Sequence, residues 1–86
     1  MKGKVKIRRK EMPVTALNKG EEGIIVKVGG SELERRKLFA LGLLPGEVII
    51  LEEGYPVILL RSGYTLAALD EEMAKNIFVR SLGVHQ

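Results

Sequence analysis

Cysteine is absent from this 86-residue chain, and histidine occurs once, as His85. Without thiolates the chain forms neither a disulfide framework nor a cysteine-ligated metal site, so we expect an intracellular protein. A single imidazole also leaves the Ser-His-Asp and Cys-His constellations of nucleophilic catalysis without their usual members. We therefore predict a protein that is not an enzyme and that holds no cofactor and no metal.

Long hydrophobic runs are also missing, since the longest purely apolar stretches have only four to five residues. A membrane-spanning helix needs about 20 such residues, and no apolar segment follows the basic N-terminal residues as it does in a signal peptide. The sequence therefore predicts a cytoplasmic protein. Its length predicts one small domain.

The charges are divided unevenly along the chain. Six of the fourteen basic residues lie in the first ten positions, where there is no acid, and the remainder carries eight basic and eleven acidic residues. Lys2, Lys4, Lys6 and Arg8 alternate with uncharged residues, which is the period of a strand with one charged face. We expect residues 1–12 to form a basic arm or an edge strand whose lysines prevent pairing with other chains. The alternative is contact with an anionic membrane surface.

The first strand of the body is predicted within "GIIVKVGG". Ile24, Val26 and Val28 should lie on one face, with Ile25 and Lys27 on the other. A helix should follow at "SELERRKLFAL", because Ser31 and Glu34 have the spacing of a capping box. Its first half is charged and its second half is apolar, so only the later turn can be deeply packed.

The exit of this helix has the chemistry of a sharp corner. Gly42 can adopt the left-handed conformation that follows a C-cap, and Leu43 is placed to contact Leu38, as in a Schellman motif. Pro45 and Gly46 then suit the two central positions of a type II turn. We therefore expect the helix to be fastened to the start of the next strand.

Three short apolar segments after the corner, "EVIIL", "PVILL" and "YTLAAL", have the spacing of an antiparallel meander. The first two are apolar on both faces, so helices should cover part of the sheet. Asp70 is a candidate N-cap for a second, short helix, and "IFVR" is the predicted last strand. The domain should span residues 13–80, with a tail at 81–86.

The order and spacing of these elements, with Leu41-Gly42-Leu43 and Pro45-Gly46 as the most specific part, resemble the ferrous iron transport protein A (FeoA) family. The resemblance covers residues from about 13 to 80. It implies a mainly β fold, a small SH3-like β-barrel with one inserted helix and a short second helix. It also implies an accessory protein that docks on FeoB, the membrane ferrous-iron transporter with a GTP-binding domain.

Four residues are predicted to contact that partner: Arg35 and Arg36 on the helix, and Leu44 and Tyr55 on turns, which are seldom fully buried. Either arginine could also stabilise a transferring phosphoryl group in the partner's site. Leu44 stands where the family frequently has a small polar residue. A second set should serve mainly the stability of the helix and the corner: Ser31, Glu34, Gly42, Leu43, Pro45 and Gly46.

Two other functions fit parts of the sequence. "KGEEGIIVKVGG" also resembles the KOW motif of nucleic-acid-binding barrels, although an acidic body and only four aromatic residues argue against RNA or DNA as the partner. Strands that are apolar on both faces could instead leave a patch that pairs two copies of the chain, which would make the protein a self-associating structural module and a homo-oligomer.

Overall fold

The computed structural model describes residues 10–84, so the predicted basic strand at Lys2, Lys4, Lys6 and Arg8, and the terminal His85, lie outside the described residues. The prediction of a mainly β domain with one inserted helix and a short second helix is confirmed. The elements in chain order are β1 (Met12–Pro13), a 3-10 turn (Val14–Ala16), β2 (Glu21–Val28), α1 (Glu32–Ala40), β3 (Val48–Glu53), β4 (Ile58–Ser62), β5 (Thr65–Leu69), α2 (Glu71–Ala74) and β6 (Ile77–Val84).

All six strands belong to one antiparallel sheet in the order β1-β6-β2-β3-β4-β5. Within residues 10–84, β1 and β5 form its two edges and are not paired with each other, so the predicted barrel is open at this point. Helix α2 follows β5 directly and packs against the 3-10 turn that follows β1. The buried Val14 and Ala74 of these two segments thus connect the ends of the sheet in place of hydrogen bonds.

The predicted meander is confirmed by β3, β4 and β5, which pair in sequence order. One face of these strands is the centre of the core, with alternate side chains buried: Ile49, Leu51, Ile58, Leu60, Ala67 and Leu69. The opposite face is only partly covered, because Val48 and Leu66 are exposed and Ile50 and Leu59 are half-buried. A substantial part of that face is therefore in contact with water.

Strand β2 does not keep the single apolar face that its sequence predicts. Ile25 and Val28 are buried, whereas Ile24 and Val26 are half-buried. The register against β6 shifts between Ile25 and Lys27, which makes Val26 the extra residue of a β-bulge. A bulge reverses the alternation of side chains along the strand, and for that reason the prediction of one face shared by positions 24, 26 and 28 was wrong.

Helix α1 begins as predicted. The Ser31 hydroxyl accepts a hydrogen bond from the Glu34 backbone N–H at 3.1 Å, and the Ser31 N–H donates to Glu34 Oε1 at 2.9 Å. This reciprocal capping box satisfies two of the N–H groups that have no partner inside the helix. Asp70 caps α2 in a similar way, because its carboxylate accepts from the Met73 N–H at 2.8 Å.

The helix ends in the predicted Schellman motif. The Leu43 N–H donates to the Leu38 carbonyl at 3.0 Å, and the N–H of Gly42, whose φ is 86°, donates to the Phe39 carbonyl at 2.9 Å. Leu38 and Leu43 are both fully buried, which is the apolar contact that accompanies this motif.

The turn after the helix is fastened to β2. Pro45 and Gly46 occupy its centre, the φ of Gly46 is 96°, and the Glu47 N–H donates to the Leu44 carbonyl at 3.0 Å, as in a type II turn. The Gly46 N–H donates to the carbonyl of Ile25 at 2.7 Å, and the Ile25 N–H donates to the Glu47 carbonyl at 2.9 Å. The corner is therefore part of the sheet.

Two glycines provide a test of how tightly the start of α1 is packed. A Cβ on Gly30 would lie 2.6 Å from Glu34 Oε1 and 2.8 Å from Asn76 Nδ2, whereas a Cβ on Gly42 would meet nothing within 4 Å. Both residues have positive φ. We expect Gly42→Ala to lower the free energy of unfolding by about 1 kcal/mol, the cost of a left-handed alanine. Gly30→Ala should lower it by about 3 kcal/mol, because it also displaces the capping carboxylate.

Urea unfolding of both variants measures the two losses. Equal losses would show that the capping box tolerates the added methyl group and would contradict this account of the helix start.

The carboxylate of Glu21 joins the start of β2 to its surroundings. It accepts a hydrogen bond from the Asn18 N–H at 2.8 Å, and the Ser81 hydroxyl also donates to it. These bonds, the Asn18 bond first, hold the pKa of Glu21 below its ordinary value. The stabilisation is therefore present above about pH 4.3, the pKa of an unperturbed glutamate, and is lost as the pH falls through the lowered pKa.

Glu21→Gln should flatten this part of a plot of urea midpoint against pH. Parallel plots for the wild type and the variant would refute the prediction.

Candidate partner-binding surface

Helix α1 buries only one of its apolar side chains. Leu38 is fully buried, whereas Leu33 is 62% exposed and Phe39 is 39% exposed. Leu41, which the sequence placed with the packed later turn, is 40% exposed. The reason is that Leu41 is the C-cap, with φ −86° and ψ 1°, so the chain has left helical geometry there. The expectation of a deeply packed second half is thus correct at Leu38 alone.

We use the name helix surface for five side chains that α1 and its exit present to solvent: Leu33, Arg36, Phe39, Leu41 and Leu44. Leu33, Arg36 and Phe39 follow one another at intervals of three residues, so they occupy neighbouring positions on the helix. Arg36 also lines a shallow depression of about 170 Å³ with Leu33 and Glu32. The helix surface therefore combines four apolar side chains with one cationic side chain, and the exposed Glu32 lies beside Arg36.

The structure separates the two predicted arginines. Arg35 Nη1 donates to the Gly30 carbonyl at 3.0 Å, which holds its side chain against the loop before the helix. Arg36 Nη2 lies 3.5 Å from Glu32 Oε2, and both of these side chains are 73% exposed. An exposed ion pair of this kind contributes little to stability. Arg36 can consequently exchange Glu32 for an acceptor on another molecule, whereas the Arg35 guanidinium is bonded to a backbone carbonyl.

Leu44 and Tyr55 do not share one patch. Leu44 is 38% exposed and lies on the turn before β3, which begins at Val48. Tyr55 is 86% exposed and lies on the turn after β3, which ends at Glu53. A strand rises about 3.3 Å per residue, so the length of β3 alone separates the two turns by roughly 17 Å. Leu44 therefore lies at the end of β3 that follows the exit of α1, and Tyr55 lies beyond the opposite end.

Paired charges surround a second, shallow groove next to β3. Lys19 Nζ lies 2.8 Å from Glu53 Oε2, and Arg61 Nε lies 2.6 Å from Glu52 Oε2. The hydrogen bond that Lys19 donates to Glu53, followed by the negative charge of Glu53, raises the pKa of Lys19. The groove has a volume of about 250 Å³ and is lined by Lys19, Gly20, Ile50, Leu51 and Glu52. The two basic side chains beside the groove, Lys19 and Arg61, are therefore each paired with a glutamate.

Neither a metal centre nor a membrane span is found in the part of the chain that the structure describes. Residues 10–84 contain no group of three or more His, Cys, Asp or Glu side chains that could hold a metal ion. In the same residues, neither helix is long and apolar enough to cross a membrane.

Leu33, Phe39 and Leu41 were not among the predicted contact residues. A signal for Leu33 was present in the sequence, because five residues of α-helix turn through about 500°, which points Leu33 about 140° away from the buried Leu38. Such a leucine cannot share the packed side of a short helix. The exposure of Phe39 and Leu41 depends on how far the helix lies over the sheet, which the helical period does not report.

Comparison with known proteins identifies the fold and the family. The family model for the FeoA domain matches residues 12–81. The comparison with curated proteins found no match. Among solved structures, the crystal structure of an iron uptake regulatory protein (FeoA) is 30% identical and has a TM-score of 0.79, with 85% of this chain and 99% of that chain covered.

Two more solved structures share the fold. A FeoA-like protein from Clostridium acetobutylicum is 22% identical, with a TM-score of 0.77 and coverage of 93% of this chain and 95% of that one. A manganese-dependent transcriptional repressor is 15% identical, with a TM-score of 0.77, and the match covers 88% of this chain but 44% of the repressor. The six-stranded sheet with its two short helices is thus the SH3-like fold of these proteins. From the family match over most of its length, this chain belongs to the FeoA domain family.

Proposed function

We propose that this protein is a cytoplasmic accessory of ferrous iron uptake that docks on a FeoB-type membrane transporter through its helix surface. Membership of the FeoA domain family supports the link to ferrous iron uptake. The proposed docking rests on the exposed leucines of α1 and its exit. The protein carries out no reaction in this proposal and acts by binding.

The observation that carries the proposal is a set of exposed apolar side chains on a short helix and its exit. Leu33, Leu41 and Leu44 leave between 38% and 62% of their surface in water. Both ends of the helix are fixed by hydrogen bonds, which hold the backbone that carries these side chains. Apolar side chains next to an arginine have the composition of interface cores, in which arginine is enriched. Burial of a few such residues supplies most of the affinity of an interface, and a fixed backbone lowers the entropy lost on binding.

Arg36 is the polar anchor of the proposed interface. Among residues 10–84, its guanidinium has only the exposed Glu32 as an acidic partner, at 3.5 Å. A carboxylate or phosphate on the transporter would bind it in the more favourable bidentate geometry. Tyr55 would form a separate, secondary contact, because it lies at the other end of β3. Arg35 would support the interface by holding the loop at Gly30.

The charge pattern makes a nucleic-acid partner the weaker alternative. Residues 10–84 carry nine basic and eleven acidic side chains, and Lys19 and Arg61 are already paired with acids. Binding to a phosphate backbone needs several cations that are free to replace counterions. Docking through apolar side chains has no such requirement.

Leu44→Glu tests the helix surface directly. The substitution places a charge among apolar side chains that are buried on docking, so we expect binding to the transporter in lipid nanodiscs to weaken at least about tenfold, or 1.4 kcal/mol. The melting temperature should change little, because Leu44 lies on an exposed turn. Binding is measured with and without a non-hydrolysable GTP analogue.

Leu82→Glu is the matched control, since Leu82 on β6 is 45% exposed and receives the same change of chemistry outside the helix surface. Its affinity should equal that of the wild type. Equal weakening of both variants would indicate a general effect of negative charge. Unchanged binding of Leu44→Glu would remove the helix surface from the interface.

A further inference from the structure

Strand β5 has a free edge. It pairs with β4 along all five of its residues, from Thr65 opposite Ser62 to Leu69 opposite Ile58. It is also the last strand in the order of the sheet, and within residues 10–84 no backbone hydrogen bond reaches its other side. Its outward backbone groups are consequently available to another strand.

The hairpin before β5 determines which groups point outward. Gly63, with φ 60°, and Tyr64 form a two-residue loop that joins Ser62 to Thr65. Glycine at the first central position is typical of a type II′ turn, in which the two flanking residues form a hydrogen-bonded pair. Hydrogen-bonded and non-hydrogen-bonded pairs then alternate along the ladder.

Residues at odd positions of β5 therefore bond to β4, and those at even positions do not. The outward N–H and C=O groups belong to Leu66 and Ala68, one on each side of Ala67. The side chain of Leu66 is 48% exposed, that of Ala68 is exposed, and that of Ala67 is buried on the inner face. The free edge thus has two donors and two acceptors arranged symmetrically about Ala67.

The usual defences of an edge strand are missing from β5. Its sequence, "TLAAL", contains no charged residue and no proline, and its pairing with β4 shows no bulge. Natural edge strands avoid intermolecular pairing through lysines, prolines, bulges or very short length. The opposite edge, β1, has only two residues and one of them is Pro13. The unprotected edge is therefore a specific feature of β5.

We propose that β5 pairs antiparallel with β5 of a second copy of this chain, about a two-fold axis at Ala67. In this register Leu66 lies opposite Ala68 of the second copy, and the reverse pair follows from symmetry. Each of these pairs exchanges two hydrogen bonds, so four cross the interface. Ala67 meets its own equivalent in a non-hydrogen-bonded pair, where Cα atoms approach to about 4.5 Å and a small side chain fits.

The chemistry of the strand matches a second copy. The self-paired register opposes each leucine with an alanine or threonine on the same face, so large and small side chains alternate across the axis. The register brings no like charges together, since residues 65–69 contain no charged side chain. Beyond the strand, it places Tyr64 opposite Asp70 of the second copy. Two five-residue strands bury less than the roughly 1,000 Å² of a stable interface. The dimer is therefore a weak one that forms at high concentration.

Sedimentation velocity across about 10 µM to 1 mM, a range suited to weak dimers, tests the proposal with three variants. Leu66→Lys places a charge at the interface. Ala68→Pro removes an outward N–H without breaking a bond to β4. Leu82→Lys is the matched control, because Leu82 is similarly exposed on β6. Circular dichroism establishes that each variant is folded.

We expect the wild type and Leu82→Lys to dimerise with the same dissociation constant. Leu66→Lys and Ala68→Pro should raise that constant at least about tenfold, as expected for loss of central contacts in a small interface. In the wild type, hydrogen exchange at the Leu66 and Ala68 amides should slow as the concentration rises. A wild type that stays monomeric, a dimer that both β5 variants retain, or exchange at these amides that ignores concentration would overturn the proposal. The transporter experiment uses Leu44 and is independent of this result.

Discussion

The arrangement of this domain depends on the hydrogen bonds that join the exit of α1 to the middle of β2. Gly46 and Glu47 bond to the two backbone groups of Ile25, one residue before the bulge in β2. These bonds hold the turn between the end of the helix and the start of β3 against β2. They also explain why Gly42 and Gly46 both have positive φ, since the chain must reverse twice within a few residues to reach that position.

The same attachment explains how a small domain can keep an apolar surface exposed. The Schellman motif and the turn bury Leu38 and Leu43 against the sheet, and these two side chains anchor the helix. The other apolar residues of α1 are then not needed for the core. They remain on a rigid element, which lowers the conformational entropy lost on binding. An exposed leucine on a flexible loop would not have this advantage.

The two proposed contacts use different properties of the chain. The helix surface offers side chains of mixed size around Arg36, and it suits a partner with its own apolar pocket and an anionic group. The edge of β5 offers backbone donors and acceptors with small side chains, and it suits another strand. Strand β4 lies between β5 and β3, the strand that α1 leads into. The two proposed contacts therefore lie on different elements of the sheet and its helix.

The sequence alone determined the features that depend on neighbouring residues. The capping box at Ser31 and Glu34, the helix exit at Gly42 and the turn at Pro45 follow from side-chain chemistry and backbone torsions over a few positions. Each of these predictions was confirmed. The meander was predictable for the same reason, because its strands are joined by short turns.

Only the tertiary structure decided the bulge at Val26, the different roles of Arg35 and Arg36, and the separation of Leu44 from Tyr55. The bulge is a register shift between β2 and β6, whose paired residues Ile25 and Val79 lie far apart in the chain. The role of Arg35 depends on the position of the Gly30 carbonyl, and the open edge of β5 depends on the order of all six strands. The Arg35 bond spans only five residues and depends on the backbone conformation at Gly30, whereas the bulge and the open edge are relations between distant segments. Local residue patterns carry no information about such relations until the sheet is assembled.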